Sequence, residues 1–278
     1  MAGGAAPVPV SAARAERDAI MAAQVSGAQR KDGIDQLAVA RRIAAALNAV
    51  QLMLPCFYWV TGLTKDGTVL VANTYGLGFI PDGVNLPANV KLVTADESVP
   101  VKTRGTWASY PILALNGWAQ HHGVALRAVI ATEDQFKGFD PGAHKEILTP
   151  DDIPENGTMA GRDRLTVLAP GIAQRLTQIP DNGLLDILPA AQVDNTGPED
   201  RRIDLLMEVF RPLFNEDPSR VEPHMRAMVD YANYMQEVAV HAAHNAADGT
   251  ALRTAVTDAL YWQHFSVMNS DVLVGQPA

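Results

Sequence analysis

Apolar residues in this chain recur at helical spacing towards both ends and gather into short runs in the middle. From Asp35 to Asn48 one stripe carries Leu37, Ala40, Ile43, Ala44 and Leu47, with Arg41 and Arg42 outside it, which predicts an amphipathic helix. Ala12 to Gln29 is also rich in good helix formers but poor in large apolar residues, which predicts a loosely attached arm. Gly27 and Asp32-Gly33 punctuate the pair. Residues 1–10 have no charged start and no long apolar centre, so they read as the end of an Ala/Gly/Pro linker within a longer protein and not as a signal peptide.

From Cys56 the pattern turns to β. Phe57–Leu63 and Thr68–Asn73 are strand-type runs joined by Lys65-Asp66-Gly67, and Asp-Gly between such runs predicts a hairpin because the turn needs a positive φ. Tyr75 to Asn89 carries Gly76, Gly78, Pro81-Asp82-Gly83 and Pro87, so it predicts an ordered loop or winding edge. Val90–Thr94 reads as a short strand, Thr106–His121 as a helix bent or delayed by Pro111, and Val124–Ala131 as a strong strand. Ile147-Leu148 and Leu165–Leu168 are weaker strand candidates. A hairpin followed by helix and strands predicts an α+β domain, a mixed β-sheet covered by helices on one face.

Past Leu188-Pro189 the pattern becomes helical. Thr196-Gly197-Pro198-Glu199 has capping-box spacing, and Ile203, Leu206, Phe210 and Leu213 would line one face of the helix behind it. A second helix from Pro223 places Met225, Met228, Ala232, Met235, Ala239 and Ala242 on a seam of alternating threes and fours. Asp248-Gly249-Thr250 closes it and caps a third, carrying Leu252, Val256, Ala259, Leu260 and Val267. Such short connections predict a C-terminal three-helix bundle. The expected organisation is therefore a linker end and arm over 1–30, an α+β domain over 31–192 and a helical domain over 193–278.

Composition narrows the function. Apolar residues make up 47% of the chain and charged ones 19%, as in a folded soluble domain. A formal charge of -9 argues against nucleic acid as a partner and against an anionic membrane surface. The apolar run Leu52–Val60 is broken by Pro55 and too short to insert across a bilayer. A single cysteine, Cys56, excludes an intrachain disulfide and fits a cytoplasmic protein, with secretion as the second reading because many exported proteins also lack disulfides.

No candidate site reaches a catalytic pattern. His241 and His244 lie one turn apart on a helix, but no HExxH sequence surrounds them and no third ligand has a diagnostic spacing, so no metal is expected. His121-His122 ends a helix before Gly123, where imidazole complements terminal carbonyls. Cys56 follows Pro55 at the edge of an apolar run, where a thiol is a small hydrophobe, and nothing places a base beside it, so it reads as structural. Gly76-Leu77-Gly78 lacks the third glycine and the Lys-Ser/Thr ending of a phosphate loop. Asp151, Asp152 and Glu155 form an acidic loop. No catalytic residue and no cofactor follow from these residues. Methionine at helical spacing is core in most helices, which is the reading of Met207, Met225, Met228 and Met235, yet it also suits an adaptable contact surface.

Several stretches together resemble the C-terminal part of EspK-type ESX (type VII) secretion-associated proteins. They are AERDAI (Ala15–Ile20), RRIAAALNA (Arg41–Ala49), FYWVTGLTKDGTVLVANTYGLGFIPDGVNLP (Phe57–Pro87), NGWAQHHGVALRAVI (Asn116–Ile130), DDIPENGTMAGRDRL (Asp151–Leu165), LLDILP (Leu184–Pro189) and ALYWQHF (Ala259–Phe265). The resemblance implies a non-enzymatic adaptor or chaperone that binds a secreted ESX substrate, the secretion ATPase, or both, and it brings no catalytic residues. No Trp-x-Gly and no tyrosine followed four residues on by an acid is present, so this part does not read as a self-contained export substrate. The expected contact surface is Met225, Met228, Tyr231, Tyr234 and Met235 on the helical end. Two alternatives stand beside it: a hydrolase-like site near Tyr75–Pro87 and His121-His122, and a homo-oligomeric unit that dimerises through the last helices.

Overall fold

A computed structural model describes residues 36–49, 54–191, 196–215 and 217–274. The arm Ala12–Gln29, the linker reading of residues 1–10 and the expected domain boundary at 192–193 lie outside those residues. From Ala40 onward the chain clusters as one compact unit.

The Asp-Gly hairpin is present. β1 (Trp59–Thr64) and β2 (Val69–Asn73) pair antiparallel with Leu63 opposite Val69, and Gly67 closes the turn at φ 90°. The Asp66 carboxylate accepts from the Thr64 hydroxyl and from the Thr68 N–H, which fixes the register. β3 (Val90–Leu92) runs parallel to β2, β4 (Leu126–Thr132) antiparallel to β1, and β5 (His144–Leu148) parallel to β4. The resulting five-stranded sheet, in the order β3-β2-β1-β4-β5, is mixed, as the α+β pattern predicts.

Both faces of the sheet's centre are covered, not one. Every residue of β1 and β2 is buried. Val60, Leu70, Ala72 and Val129 pack with Leu115 and Trp118 of α3 (Pro111–His121). The opposite face meets the helix over residues 36–49, α1. Its Arg41 bonds Glu146 of β5 and Asp152, and Glu146 is the register partner of Ile130. Asn48 of α1 is buried, donates to the Trp59 carbonyl and accepts from the Trp59 N–H, extending the ladder of β1 with a side-chain amide.

Pro111 starts α3 and does not bend it. It stands at the first helical position, where its missing N–H costs nothing. The preceding residues form a separate turn, α2 (Val101–Gly105), and Ser109 at φ 64° redirects the chain. The expected strand Leu165–Leu168 is instead a helical turn, α4 (Arg164–Leu168), because the Asp163 carboxylate caps it through the Thr166 N–H at 2.8 Å. A further helix, α5 (Pro170–Thr177), follows.

Three helices close the chain: α6 (Arg202–Phe210), α7 (Val221–His244) and α8 (Gly249–Val274). Asp248 caps α8 through the Ala251 N–H, as its sequence predicts. α7 and α8 form a long hairpin, α6 leans on α7, and α8 turns its other side to α2, α4 and α5. No helix starts at Thr196, where the capping-box spacing places one. α6 begins later, and the Tyr234 hydroxyl on α7 accepts from the Arg201 N–H at its start. The buried residues of α6 are Leu205, Val209 and Phe210, leaving Ile203 75% exposed and Met207 open to solvent. Val267, expected on the α8 seam, is also exposed.

Candidate functional site

An aromatic seam joins the loop after β2 to α8. Phe57, Tyr75 and Phe79 meet edge-on or tilted at centroid distances of 5.2–5.8 Å, and Phe79 continues to Phe265 at 6.2 Å and Trp262 at 6.4 Å. Gly78 makes that approach feasible. At φ 76° it sits in the left-handed region, and a Cβ there would lie 2.4 Å from the Leu168 Cδ1. The glycines of Gly76-Leu77-Gly78 thus serve a buried crossing under α8, and the loop is not a phosphate cradle.

Beside this seam an apolar groove of about 780 Å³ runs along the helical hairpin. α7 contributes Tyr231, Met235 and Val238, α8 contributes Ala255 and Trp262, and the loop contributes Phe79. At one end the Arg164 guanidinium is stacked over Tyr261 at 4.7 Å and Trp262 at 5.1 Å. It bonds Asp258 at 2.7 Å, with Asp82 at 3.9 Å. Burial pushes the Asp258 carboxyl above its ordinary range, and the neighbouring Asp82 and Asp163 add to that while Arg164 opposes it. Desolvation likewise raises the Tyr231 phenol.

The five residues expected to make contact divide in two. Met225 and Met228 are each 1% exposed and belong to the core, and the Tyr234 ring is buried beneath the start of α6. Tyr231 and Met235 line the groove, Met235 half-buried. Met207, expected in the core, is exposed.

The remaining candidates are structural or isolated. His122 stacks on Trp118 at 4.2 Å and contacts Asp96 at 3.0 Å, and Asp96 also accepts from Trp118 Nε1 at 2.6 Å and the Ser98 hydroxyl at 2.6 Å. The loop proposed as its catalytic companion packs instead beneath α8. His244 contacts the Pro189 carbonyl at 2.8 Å, and no group of three His, Cys, Asp or Glu able to hold a metal occurs among the described residues. Cys56 is exposed, in a turn where its φ is 59°. Partial desolvation raises its thiol more than Arg220 lowers it, the reverse of an activated nucleophile. Asp152 accepts from Thr149 and Arg41, so the acidic loop is a capping element.

Sequence reasoning missed Phe79, Asp82, Arg164, Asp258 and Trp262. Trp262 lies within ALYWQHF and Arg164 within DDIPENGTMAGRDRL, but neither stretch has a periodicity that reveals the other as its neighbour.

Fold and site together define a mixed-sheet domain clasped by a long helical hairpin, with an open apolar groove on that hairpin. Residues 48–273 match the family described as the EspK C-terminal domain, and the chain belongs to that family. It is 49% identical over 271 residues to the uncharacterized protein D806_0078 of Mycolicibacterium smegmatis (strain MKD8), covering 96% of this chain and 36% of that protein. It is 48% identical over 259 residues to the ESX-1 secretion-associated protein EspK of Mycobacterium tuberculosis (strain CDC 1551 / Oshkosh), covering 92% and 36% respectively. The chain thus spans about a third of the length of these relatives, 36% of each. Among solved structures, a fragment of the conserved hypothetical protein Rv3899c from Mycobacterium tuberculosis aligns over 88% of this chain and 98% of the fragment, at 17% identity and a TM-score of 0.36. No helix among the described residues is long and apolar enough to cross a membrane.

Proposed function

We propose that this chain is a non-enzymatic, cytoplasmic module of ESX secretion that binds another protein, a secreted ESX substrate or the secretion ATPase. Its membership of the EspK C-terminal family supports the secretion role, since a relative at 48% identity is an ESX-1 secretion-associated protein. The observation that carries the binding reading is the groove: half-buried Met235 and Val238 of α7 border an apolar cleft whose floor is made by the buried rings of Tyr231, Trp262 and Phe79. Titrating the chain against purified ESX-1 substrates and the ATPase tests it. Binding of either at or below tens of micromolar is expected, and failure of both to bind would remove the reading.

The homo-oligomer reading rests on a different observation. Ile203, Met207 and Phe214 leave an apolar strip exposed along α6 and the turn after it. Sedimentation equilibrium distinguishes the two, because a dimer that Met207→Glu disrupts would place self-association on that strip.

A further inference from the structure

The groove is apolar along most of its length, but its charge near Asp82 is unbalanced. Asp82, Asp163 and Asp258 gather around one guanidinium, that of Arg164. Arg164 is committed to Asp258 at 2.7 Å and reaches Asp82 only at 3.9 Å. Arg253 nearby is held by Asp181 and by the carbonyls of Leu176 and Ile179. Among the described residues, the groove is also lined by the cation Arg202 and the carboxylate Asp248. Asp82 meanwhile keeps 89% of its side chain in solvent. Close by stands an aromatic wall in which Tyr231 meets Trp262 edge-on at 5.6 Å and Phe79 meets Trp262 at 6.4 Å. An exposed carboxylate at the end of an apolar groove pairs with an ammonium or guanidinium group whose aliphatic stem lies along the apolar wall.

The walls also specify the shape of the occupant. Their backbone groups are paired within α7 and α8, so an extended segment would find no ladder to join. Met235, Val238 and Ala242 follow the spacing of three and four that meshes with another helix. Ala239, Ala251 and Ala255 are small enough to let its backbone come close. From Tyr231 to Ala242 the wall is about 16 Å long, roughly three turns of an incoming helix.

We infer that the groove receives an amphipathic α-helix of a partner protein, which sets a lysine or arginine against Asp82 and apolar side chains against Met235 and Val238. The inference rests on the partner-binding reading and adds the chemistry of the segment bound. The net charge of -9 agrees with a basic partner.

The test uses the whole chain and three synthetic peptides of roughly 15 residues, near the length at which an isolated helix becomes marginal. All share one leucine and alanine face. The first carries a central lysine, the second a glutamate in its place, and the third the lysine with a proline in mid-sequence. By calorimetric titration the lysine peptide should bind about tenfold more tightly than the glutamate peptide, a preference that fades as salt rises. Asp82→Asn, at an exposed site, should abolish the preference, and the proline peptide should lose binding. Met235→Glu should abolish binding while leaving the thermal melt unchanged. Equal binding of the first two peptides, retention by the proline peptide, a preference that survives Asp82→Asn, or no binding of any peptide would each overturn the inference. If ESX-1 partners bind wild type and Met235→Glu alike, the secretion reading stands and the groove helix falls. If the lysine peptide binds but neither ESX-1 partner does, the helix inference stands and the secretion reading falls.

Discussion

The phenol oxygen of Tyr261 lies 2.8 Å from the backbone nitrogen of Ile80, 181 positions earlier in the chain, and accepts its N–H. The same hydroxyl donates to the Gly78 carbonyl at 3.2 Å. Tyr261 is fully buried, so this one group fastens the loop after β2 to the middle of α8.

Tyr261→Phe therefore leaves the Ile80 N–H without a partner in a dry site. The expected loss is about 1–3 kcal/mol. It should appear as a lower midpoint in chemical denaturation at an unchanged slope, because the fold exposes the same surface on unfolding. An unchanged midpoint would show that water replaces the phenol.

Acid should release the clip at the end of α3. Burial alone would raise the Asp96 carboxyl, but hydrogen bonds from Ser98, Trp118 and His122 outweigh it and hold it down at about 2. Its folded value is thus below its unfolded one. The stabilisation is complete above the ordinary carboxylate value of 3.8 and is lost as pH falls from there towards 2. Stability measured across that window should fall less steeply in Asp96→Asn than in wild type. Identical slopes would mean that the clip contributes nothing.

Arg164 is a buried cation whose loss should be felt through Asp258. Arg164→Met leaves that carboxylate unpaired, which costs about 3–5 kcal/mol at neutral pH. Because the Asp258 carboxyl is already raised, its contribution is most favourable below its unfolded value and declines as pH rises through its folded value. The penalty of Arg164→Met should accordingly be smaller near pH 4 than at pH 7. Arg164→Lys keeps the charge but not the planar fork over Tyr261 and Trp262, so it should recover only part of the loss. A penalty independent of pH would assign the effect to packing.

Local chemistry was legible in the sequence wherever one short stretch contained the whole cause. Lys65-Asp66-Gly67 specifies the β1–β2 hairpin because turn and strands are adjacent, and Asp248 announces its own helix cap. Leu165–Leu168 misled because a run of four residues, three of them apolar, reads equally as strand or helix, and Asp163, one position before α4, decides the matter through its side chain. The α6 stripe was misplaced for a different reason. Apolar residues lie on more than one side of α6, and its packing on α7 selects Leu205, Val209 and Phe210 as the buried ones. The groove was the least legible feature, since Phe79, Arg164 and Trp262 come together only through the folded chain.

The stretch around residues 189–199 should be the first point of proteolytic attack. Pro189, Ala190 and Ala191 are exposed, as are Thr196 and Gly197, whereas every residue of β1 and β2 is buried. Brief digestion with a protease of broad specificity, followed by mass spectrometry, should give fragments divided there. Earlier cleavage within Phe57–Asn73 would contradict the sheet assignment.

Alanine substitutions along α7 should separate folding from binding. Met225 and Met228 are core residues, so Met225→Ala and Met228→Ala should each cost about 2–5 kcal/mol, with little change in the affinity of the molecules that remain folded. Met235 is half-buried on the groove, and Met235→Ala removes a flexible contact without opening the core, so its melt should move little. A bound helix would lose that contact, and affinity for an ESX-1 partner should fall several-fold. Tyr231→Phe is the control beside it. The ring that packs on Trp262 is kept and only the hydroxyl is removed, so both melt and affinity should stay near wild type if the wall acts through its aromatic face. If Met225→Ala weakens binding by the folded protein as much as Met235→Ala does, the contact surface includes the buried seam and α7 must move to expose it. If neither substitution changes affinity while the wild-type chain binds, the partner docks elsewhere, and the exposed strip of Ile203, Met207 and Phe214 becomes the surface to mutate next.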